Sequence, residues 1–409
     1  MSQAKHEVFD LVLFGATSFV GRLVAEHLAA RADAENLNWA IAGRSETKLA
    51  GVRAEIGCPD LATIVADAHD DAALLSLCAR TRVVISTVGP YALHGEPLVR
   101  SCAQTGTDYA DLTAEVPWMA QMIERYQVRA AQSGARLVFC CGFDSVPSDL
   151  GVAHLQSQAR TRFGTPCQRV AMRIQAMRGR VSGGTVATMT NMARQLRDEP
   201  GQQQYITDPY SICPADKRPT TKQRPVTRPF WDRDAKAWGA PFVMAAVNEH
   251  VVHRTNALAE PSYGTEFSYN EAQLTGRGLK GRAGAYGLAG ALGTFMAAVS
   301  FQATRNLLER FVLPAPGQGP NATKRANGFF DVRFHGHTPS GDTVRTRVRG
   351  DRDPGYGATS RIFGEAGLCL ACDNPGAVPG GFWTPASLMA EPLTARLERH
   401  AGVTFVADE

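Results

Sequence analysis

What the sequence has little of narrows its class first. Charge is sparse and nearly balanced: 20% of the 409 residues are charged, 43 basic against 39 acidic, for a net +4. A nucleic-acid binder gathers basic charge on one face, so no nucleic-acid partner is expected. Met1–Asp10 has no apolar core and no small-residue cleavage pattern, so no secretory signal is expected there. No G-x-S-x-G hydrolase turn and no G-x-x-x-x-G-K-[ST] phosphate loop occurs. Cysteine is scarce and unpatterned: nine, an odd number, in a chain long enough to build its own core. Free thiols in a reducing compartment fit that usage, and a cytoplasmic protein is expected. Cys369 and Cys372 form one C-x-x-C without a second pair, and His335 and His337 lack a companion acid or thiolate set, so no metal is expected. A hydrophobic share of 44% excludes disorder, collagen and coiled coil.

What is present in the first third is a repeated unit: a short β-branched run, a turn, then ten or more residues at helical spacing. Strands are expected at 8–14, 38–42, 63–66, 82–88, 108–110 and 136–140, and helices near 20–32, 46–56, 70–80, 96–105 and 117–132. Strands that do not alternate are buried on both faces, which requires helices on both sides of a parallel sheet. The expected fold class is therefore α/β, a doubly wound Rossmann-type sheet of about six strands. Such sheets bind ligands at the carboxyl ends of their strands, where strand order reverses.

The first such turn reads Gly15-Ala16-Thr17-Ser18-Phe19-Val20-Gly21. Gly15 permits the tight turn, Gly21 lets the helix pack closely on the strand, and the amides around Ser18–Val20 open a helix. A pyrophosphate accepts hydrogen bonds from such amides and is favoured by the helix dipole. Ser18 occupies the place of the middle glycine and can donate its hydroxyl to the phosphate. The second turn reads Ala42-Gly43-Arg44-Ser45, with no acid for a ribose 2′-hydroxyl. Arg44 can pair with a 2′-phosphate, while Ser45 can donate to it and cap the next helix, so NADP is expected over NAD. After the third strand, Asp67 stands where it can accept from the adenine amino group or cap the helix beginning near Asp70. The fourth strand runs into Thr87-Val88-Gly89-Pro90-Tyr91 and then His94. In this topology Thr87, Val88 and Gly89 pass beneath the cofactor's ribose and nicotinamide. Tyr91 is a candidate proton donor or a packing aromatic, and His94 carries the same two alternatives.

Two further strings narrow the reading: Tyr109-Ala110-Asp111-Leu112-Thr113-Ala114-Glu115, and the run Gly142-Phe143-Asp144-Ser145-Val146-Pro147-Ser148-Asp149-Leu150-Gly151. With the turns above, the sequence resembles the saccharopine dehydrogenase-like oxidoreductases, in the branch of the bacterial trans-acting enoyl reductases. Pro316–Pro320, Asp353–Thr359 and Gly380–Pro385 resemble that branch too, so the likeness runs nearly end to end. Ser18 departs from the family's glycine, and Ala114 from its Gly-Glu. The resemblance implies an NADP-binding domain at 1–150, an α+β substrate or interface domain at 151–375 covering the cleft, and a segment at 376–409 returning to the first domain. It implies hydride transfer to the double bond of a long-chain or polyketide-like enoyl thioester, which a carrier would present. A saccharopine-type amino-acid dehydrogenase ranks second, because no arginine set for a dicarboxylic substrate stands out.

Asp144 and Ser145 follow the last parallel strand and open a helix, where they either orient the nicotinamide or substrate carbonyl or cap the helix. Arg169–Arg178 alternates like a half-exposed antiparallel strand, and Phe329–Phe334 and Thr343–Arg349 read as a hairpin joined at Pro339–Asp342. Ser182–Thr185 opens a helix expected near 186–197. Seven prolines between 200 and 241 predict an extended surface segment. Residues 283–304 carry no charge and include Gly284, Gly287, Gly290 and Gly293. Three readings stay open for that helix: a buried or homodimer-interface helix, an acyl-chain or peripheral membrane contact, and a membrane span. A lipid- or membrane-associated binding protein whose nucleotide domain does not turn over is the rival from outside enzymology.

Overall fold

The computed structural model describes residues 8–179, 190–191, 194, 197–300, 304, 319–373 and 378–408. They form two compact units. The first contains the described residues through Gly142, Gly319 and those between Thr359 and Ala401. Its strands are β1 Phe9–Phe14, β2 Trp39–Gly43, β3 Ala62–Val65, β4 Thr81–Ser86, β5 Asp108–Asp111 and β6 Arg136–Val138, with β13 Gly381–Trp383 added late in the chain. All pairings in the sheet are parallel, in the order β13-β6-β5-β4-β1-β2-β3. Central strands are apolar on both faces, as in β1, where Leu11, Val12 and Leu13 are fully buried. Strand order reverses between β1 and β4, so their carboxyl ends mark the ligand crevice.

The helices begin where capping chemistry dictates. Ser18, Ser45 and Asp70 each accept an amide proton of the first turn, opening helices Phe19–Glu35, Glu46–Glu55 and Asp71–Cys78. Asp70, not Asp67, is thus the cap of the third helix. The seventh strand, β13, was not expected: three residues carry no periodicity, and their partner β6 lies far back along the chain, Gly381 standing beside Arg136.

The unit boundaries differ from those expected at 150 and 375. Helix Val146–Phe163 belongs to the second unit, where a Cβ on its Gly151 would lie 2.2 Å from the ring of Phe334. Return to the first unit begins at Thr359, because helix Thr359–Cys372 packs on helix Phe19–Glu35 and lays Gly367 against Ile85 and Leu11. The last strand does not return. β14, Val403–Asp408, pairs antiparallel with the second sheet. A buried ionic cluster ties the returning helices down. Glu365, fully buried, lies 2.8 Å from His27 Nε2, 3.3 Å from Arg31 Nε and 3.3 Å from Arg396 Nη1, and Arg396 also pairs with Glu35 and Asp373.

The second unit's sheet comprises β7 Arg169–Arg178, β8 Phe230–Asp232, β9 Ala237–Pro241, β10 Ser268–Gly276, β11 Phe329–His337, β12 Thr343–Gly350 and β14. Its order is β14-β12-β11-β7-β10-β9-β8; β7 and β10 are parallel and the other pairs antiparallel. β7 is a central strand, buried on both faces from Val170 to Ile174 and exposed from Gln175 to Arg178. Ala171 and Arg173, expected on a solvent face, are buried, and Arg173 is neutralised by Asp232 at 2.5 Å. The proline-rich 200–241 segment is packed at its ends, where it buries Tyr210 and Ile212 and supplies β8 and β9, while residues 218–228 between them are largely exposed and without regular structure. Most of the helix expected near 186–197 lies outside the described residues. The uncharged helix runs Gly278–Ser300 and is largely exposed, so the buried reading fails within this chain. Among the described residues, no helix is long and apolar enough to cross a membrane, which removes the spanning reading.

Helix Ala245–Leu258 is buried despite its polar sequence. Its Asn248 accepts from Ser145 Oγ (2.8 Å) and donates to Ser148 Oγ (3.2 Å) and Glu271 Oε2 (3.0 Å), while Tyr269 donates to Glu271 Oε1 (2.7 Å). Burial pushes the Glu249 carboxyl up to about 8, with repulsion from Glu271 adding to it, and that of Glu271 up to about 7 against the hydrogen bonds from Tyr269 and Asn248. In the unfolded chain these acids lose their protons near the ordinary pKa of ~4.3. Between that pH and about 8 the folded state therefore binds more protons, so stability falls as pH rises, by at most ~1.4 kcal/mol per pH unit per group. Urea unfolding from pH 5 to 8 should show this slope, and Glu249→Gln should flatten it.

Candidate dinucleotide site

The crevice end of β1 is shaped by two glycines. Gly15 adopts φ +89°, and a Cβ there would stand 2.7 Å from both Thr87 Oγ1 and Val88 Cγ2. That close approach brings the turn after β4 against the turn after β1. At Gly21 a Cβ would be 2.2 Å from the Gly15 carbonyl oxygen, so the helix starts in contact with the turn. Phe19 and Val20 lie in the helix's first turn, whose amides an α-helix cannot satisfy from within. Gly319 packs on the same loop, close to the ring of Phe19.

Ser18 does something other than expected. Its Oγ accepts from Gly21 N at 2.9 Å and lies 3.1 Å from Thr87 Oγ1, while Thr87 donates to the Gly15 carbonyl at 2.9 Å. With Thr87's proton directed to Gly15, Ser18 donates to Thr87. The serine hydroxyl is thus spent on bracing the loop, and the phosphate is left to backbone amides. Thr17 reaches across to the end of β2, 3.8 Å from where a Gly43 Cβ would be.

At the end of β2, Arg44 is exposed and makes no ion pair or hydrogen bond among the described residues. Ser45 caps the following helix through Lys48 N at 3.4 Å. Asp67 is exposed, and its Oδ1 accepts from His69 N at 2.9 Å rather than capping a helix. His69 Nε2 in turn meets His94 Nδ1 at 2.9 Å. Burial, then the charges of His69 and Arg44, lower the pKa of His94 against the pull of Asp67, so the imidazole is neutral near pH 7. Arg44 therefore lies near enough for its charge to act on His94, and the structure joins Asp67 and His94 through one residue the sequence reading did not single out, His69. Its signal was its place just past β3's carboxyl end.

Tyr91 is a brace. Its buried hydroxyl donates to the Ser86 carbonyl (2.9 Å) and accepts from Leu112 N (3.1 Å), and burial raises its pKa well above the ordinary phenol value. Its own amide and that of Ala92 donate to the buried Glu115 carboxylate, at 2.7 and 3.2 Å. Glu115 thus anchors the start of the short helix Tyr91–His94 from 24 residues away. Charge-assisted hydrogen bonds are worth ~1.5–3 kcal/mol each. Glu115→Ala should destabilise the protein by about 3 kcal/mol in urea unfolding, and Glu115→Gln by less, because the amide keeps one acceptor.

Asp144 and Ser145 belong to the second unit. Ser145 occupies the N-cap position of helix Val146–Phe163, yet its side chain makes no capping bond; the hydroxyl is drawn to Asn248 instead. Asp144 is half-buried beside it.

The glycine-edged turn, the first-turn amides and an unpaired guanidinium on the second strand suit a phosphorylated dinucleotide. Residues 11–138 match the family model for the saccharopine dehydrogenase NADP binding domain. A trans-acting enoyl reductase of Mycobacterium tuberculosis H37Rv is 37% identical over 412 residues, covering 97% of each chain. One from Mycobacterium ulcerans is 35% identical over 410 residues, again 97% of each. This chain belongs to the trans-acting enoyl reductase branch of the saccharopine dehydrogenase-like family. It is an NADP-dependent oxidoreductase. Among solved structures, apo saccharopine dehydrogenase (L-Glu forming) from Saccharomyces cerevisiae shares the fold at TM-score 0.51 and 15% identity, over 98% of this chain and 99% of that one. Homospermidine synthase from Legionella pneumophila, solved with NAD, shares it at TM-score 0.51 and 12% identity, over 99% and 92%.

Proposed function

We propose that this family member reduces the carbon–carbon double bond of a long-chain or polyketide-like enoyl thioester presented by a carrier. The observation that carries the reading is the end-to-end likeness to relatives named trans-acting enoyl reductase, together with a loop whose residues fit NADP. NADPH, when bound, supplies the hydride. Gly15, Gly21 and the amides at Phe19 and Val20 would hold its pyrophosphate, and Arg44 its 2′-phosphate. Thr87, Val88 and Gly89 form the floor beside that loop.

Such a reduction consumes one hydride at the β-carbon and one proton at the α-carbon, with a donor to the thioester oxygen where negative charge develops. Tyr91 and Ser145 have their hydroxyl protons committed to buried acceptors. His94 keeps one ring nitrogen, Nε2, outside any hydrogen bond among the described residues, which favours it as the donor to that oxygen. Water supplies the proton.

The test is NADPH oxidation by the purified protein against enoyl thioesters of graded acyl length, with the product's mass read in parallel. The reading expects turnover that improves with chain length and a product two hydrogens heavier. Turnover of a dicarboxylic amino acid with no enoyl thioester accepted would move the assignment to amino-acid dehydrogenation. NADPH binding without any turnover would favour a binding protein.

A further inference from the structure

Helix Gly278–Ser300 packs on β9 and β10. Its least exposed residues, Gly281, Ala285, Leu288, Leu292, Phe295 and Val299, recur every three or four positions and make one stripe. The opposite face is open to solvent and includes Tyr286, 55% exposed, and Met296, 42% exposed. From Ala283 to Ser300 it carries no charged residue. A solvent-facing helix ordinarily places charge on that face. Here cations stand only at its start, at Arg277, Lys280 and Arg282, beside Leu279, which is 83% exposed.

That end is also aromatic. The Arg282 guanidinium lies 5.5 Å over the Trp238 ring and 6.0 Å from that of Tyr286. Trp238 meets Trp231 edge to face at 6.1 Å, and Trp231 is 46% exposed. None of the three cations has an acidic partner among the described residues, and the sequence has no Asp or Glu between Glu271 and Glu309.

We propose that this surface docks on an anionic lipid bilayer, with the guanidinium–aromatic rim among the headgroups and the uncharged helix face against the acyl boundary. Trp and Tyr favour that interface because one end of each ring is apolar and the other polar. Lys and Arg gain about 1 kcal/mol each near an anionic surface, roughly fivefold in partition. Charge complementarity selects the bilayer over a second copy of this chain. A copy seated on the same face would bring the same unpaired cations and no acid from the helix. Contact is peripheral, since the glycine-rich helix is too weakly apolar to span.

The full-length protein should co-sediment with phosphatidylcholine–phosphatidylglycerol vesicles and not with phosphatidylcholine alone, and binding should weaken as salt rises. The exposed double variant K280E/R282E should lose about 25-fold or more in partition, with melting temperature and NADPH affinity unchanged. Vesicles should shift the tryptophan emission to the blue, a shift that Trp231→Phe diminishes. Equal binding to neutral vesicles, no vesicle binding, or indifference to the charge reversal would overturn the proposal. So would a lipid-free dimer that Leu279→Glu converts to monomer, which would assign the face to a second copy.

Discussion

Alanine at Gly21 is expected to raise the Kd for NADPH more than a hundredfold. The added methyl would sit 2.2 Å from the Gly15 carbonyl oxygen, 2.8 Å from Ser18 Oγ and 2.9 Å from Ala16 Cα. Two of those three atoms are backbone and cannot rotate away. The helix start must therefore lift off the turn, carrying with it the amides at Phe19 and Val20 and breaking the bond from Gly21 N to Ser18. Overpacking of this kind costs ~1–3 kcal/mol in stability, but the loss in binding is larger because the phosphate donors themselves are displaced. Gly51 supplies the control. It lies in helix Glu46–Glu55 with nothing within 4 Å of an added Cβ, so Gly51→Ala should leave binding intact and add ~1 kcal/mol of stability. Isothermal titration with NADPH and urea unfolding of the two variants check both halves.

Removing the Glu365 carboxylate should produce the largest loss of stability. The group is fully buried, and His27, Arg31 and Arg396 converge on it. Arg396 keeps Glu35 and Asp373 as partners, and its hydrogen bond holds the Glu35 carboxyl below the ordinary carboxylate range. Arg31 likewise keeps Glu35, at 2.7 Å, but it and His27 would lose the buried carboxylate on which they converge. Breaking a buried pair from one side costs ~3–5 kcal/mol, so Glu365→Ala should unfold at clearly lower urea. The cluster joins helix Thr359–Cys372 to helix Phe19–Glu35, the helix whose first turn shapes the dinucleotide loop. Weaker NADPH binding should accompany the lost stability, and Glu365→Gln should retain part of both.

The parts of this architecture that local chemistry determines could be read from the chain. The strands β1 to β6, the cap at Ser45, and the turns at Gly15 and Arg44 each depend on neighbours within a few residues. What was missed depends on distant partners. Ser18 looks like a phosphate donor until its hydroxyl is found between the Gly21 amide and Thr87, 69 residues on. Tyr91 looks like an acid until the Ser86 carbonyl and the Leu112 amide occupy its hydroxyl. Arg173 reads as a surface residue of an alternating strand, and its burial is explained by Asp232 and Asn270. β13 is three residues long and owes its place to distant partners, β6 and the Gln127 side chain. Helix Ala245–Leu258 defeats periodicity, because its polar residues find buried partners far along the chain, as Asn248 does in Ser145, Ser148 and Glu271.

Selectivity for the 2′-phosphate tests the site most directly. Arg44 is exposed and without an ion pair or hydrogen bond among the described residues, so its replacement removes little from the fold. Titrating Arg44→Ala with NADPH and NADH should weaken NADPH by about 10- to 100-fold, as expected for a charge-assisted contact, and leave NADH within about threefold. Equal losses for the two dinucleotides, or no loss for either, would contradict the placement of the phosphate at the end of β2.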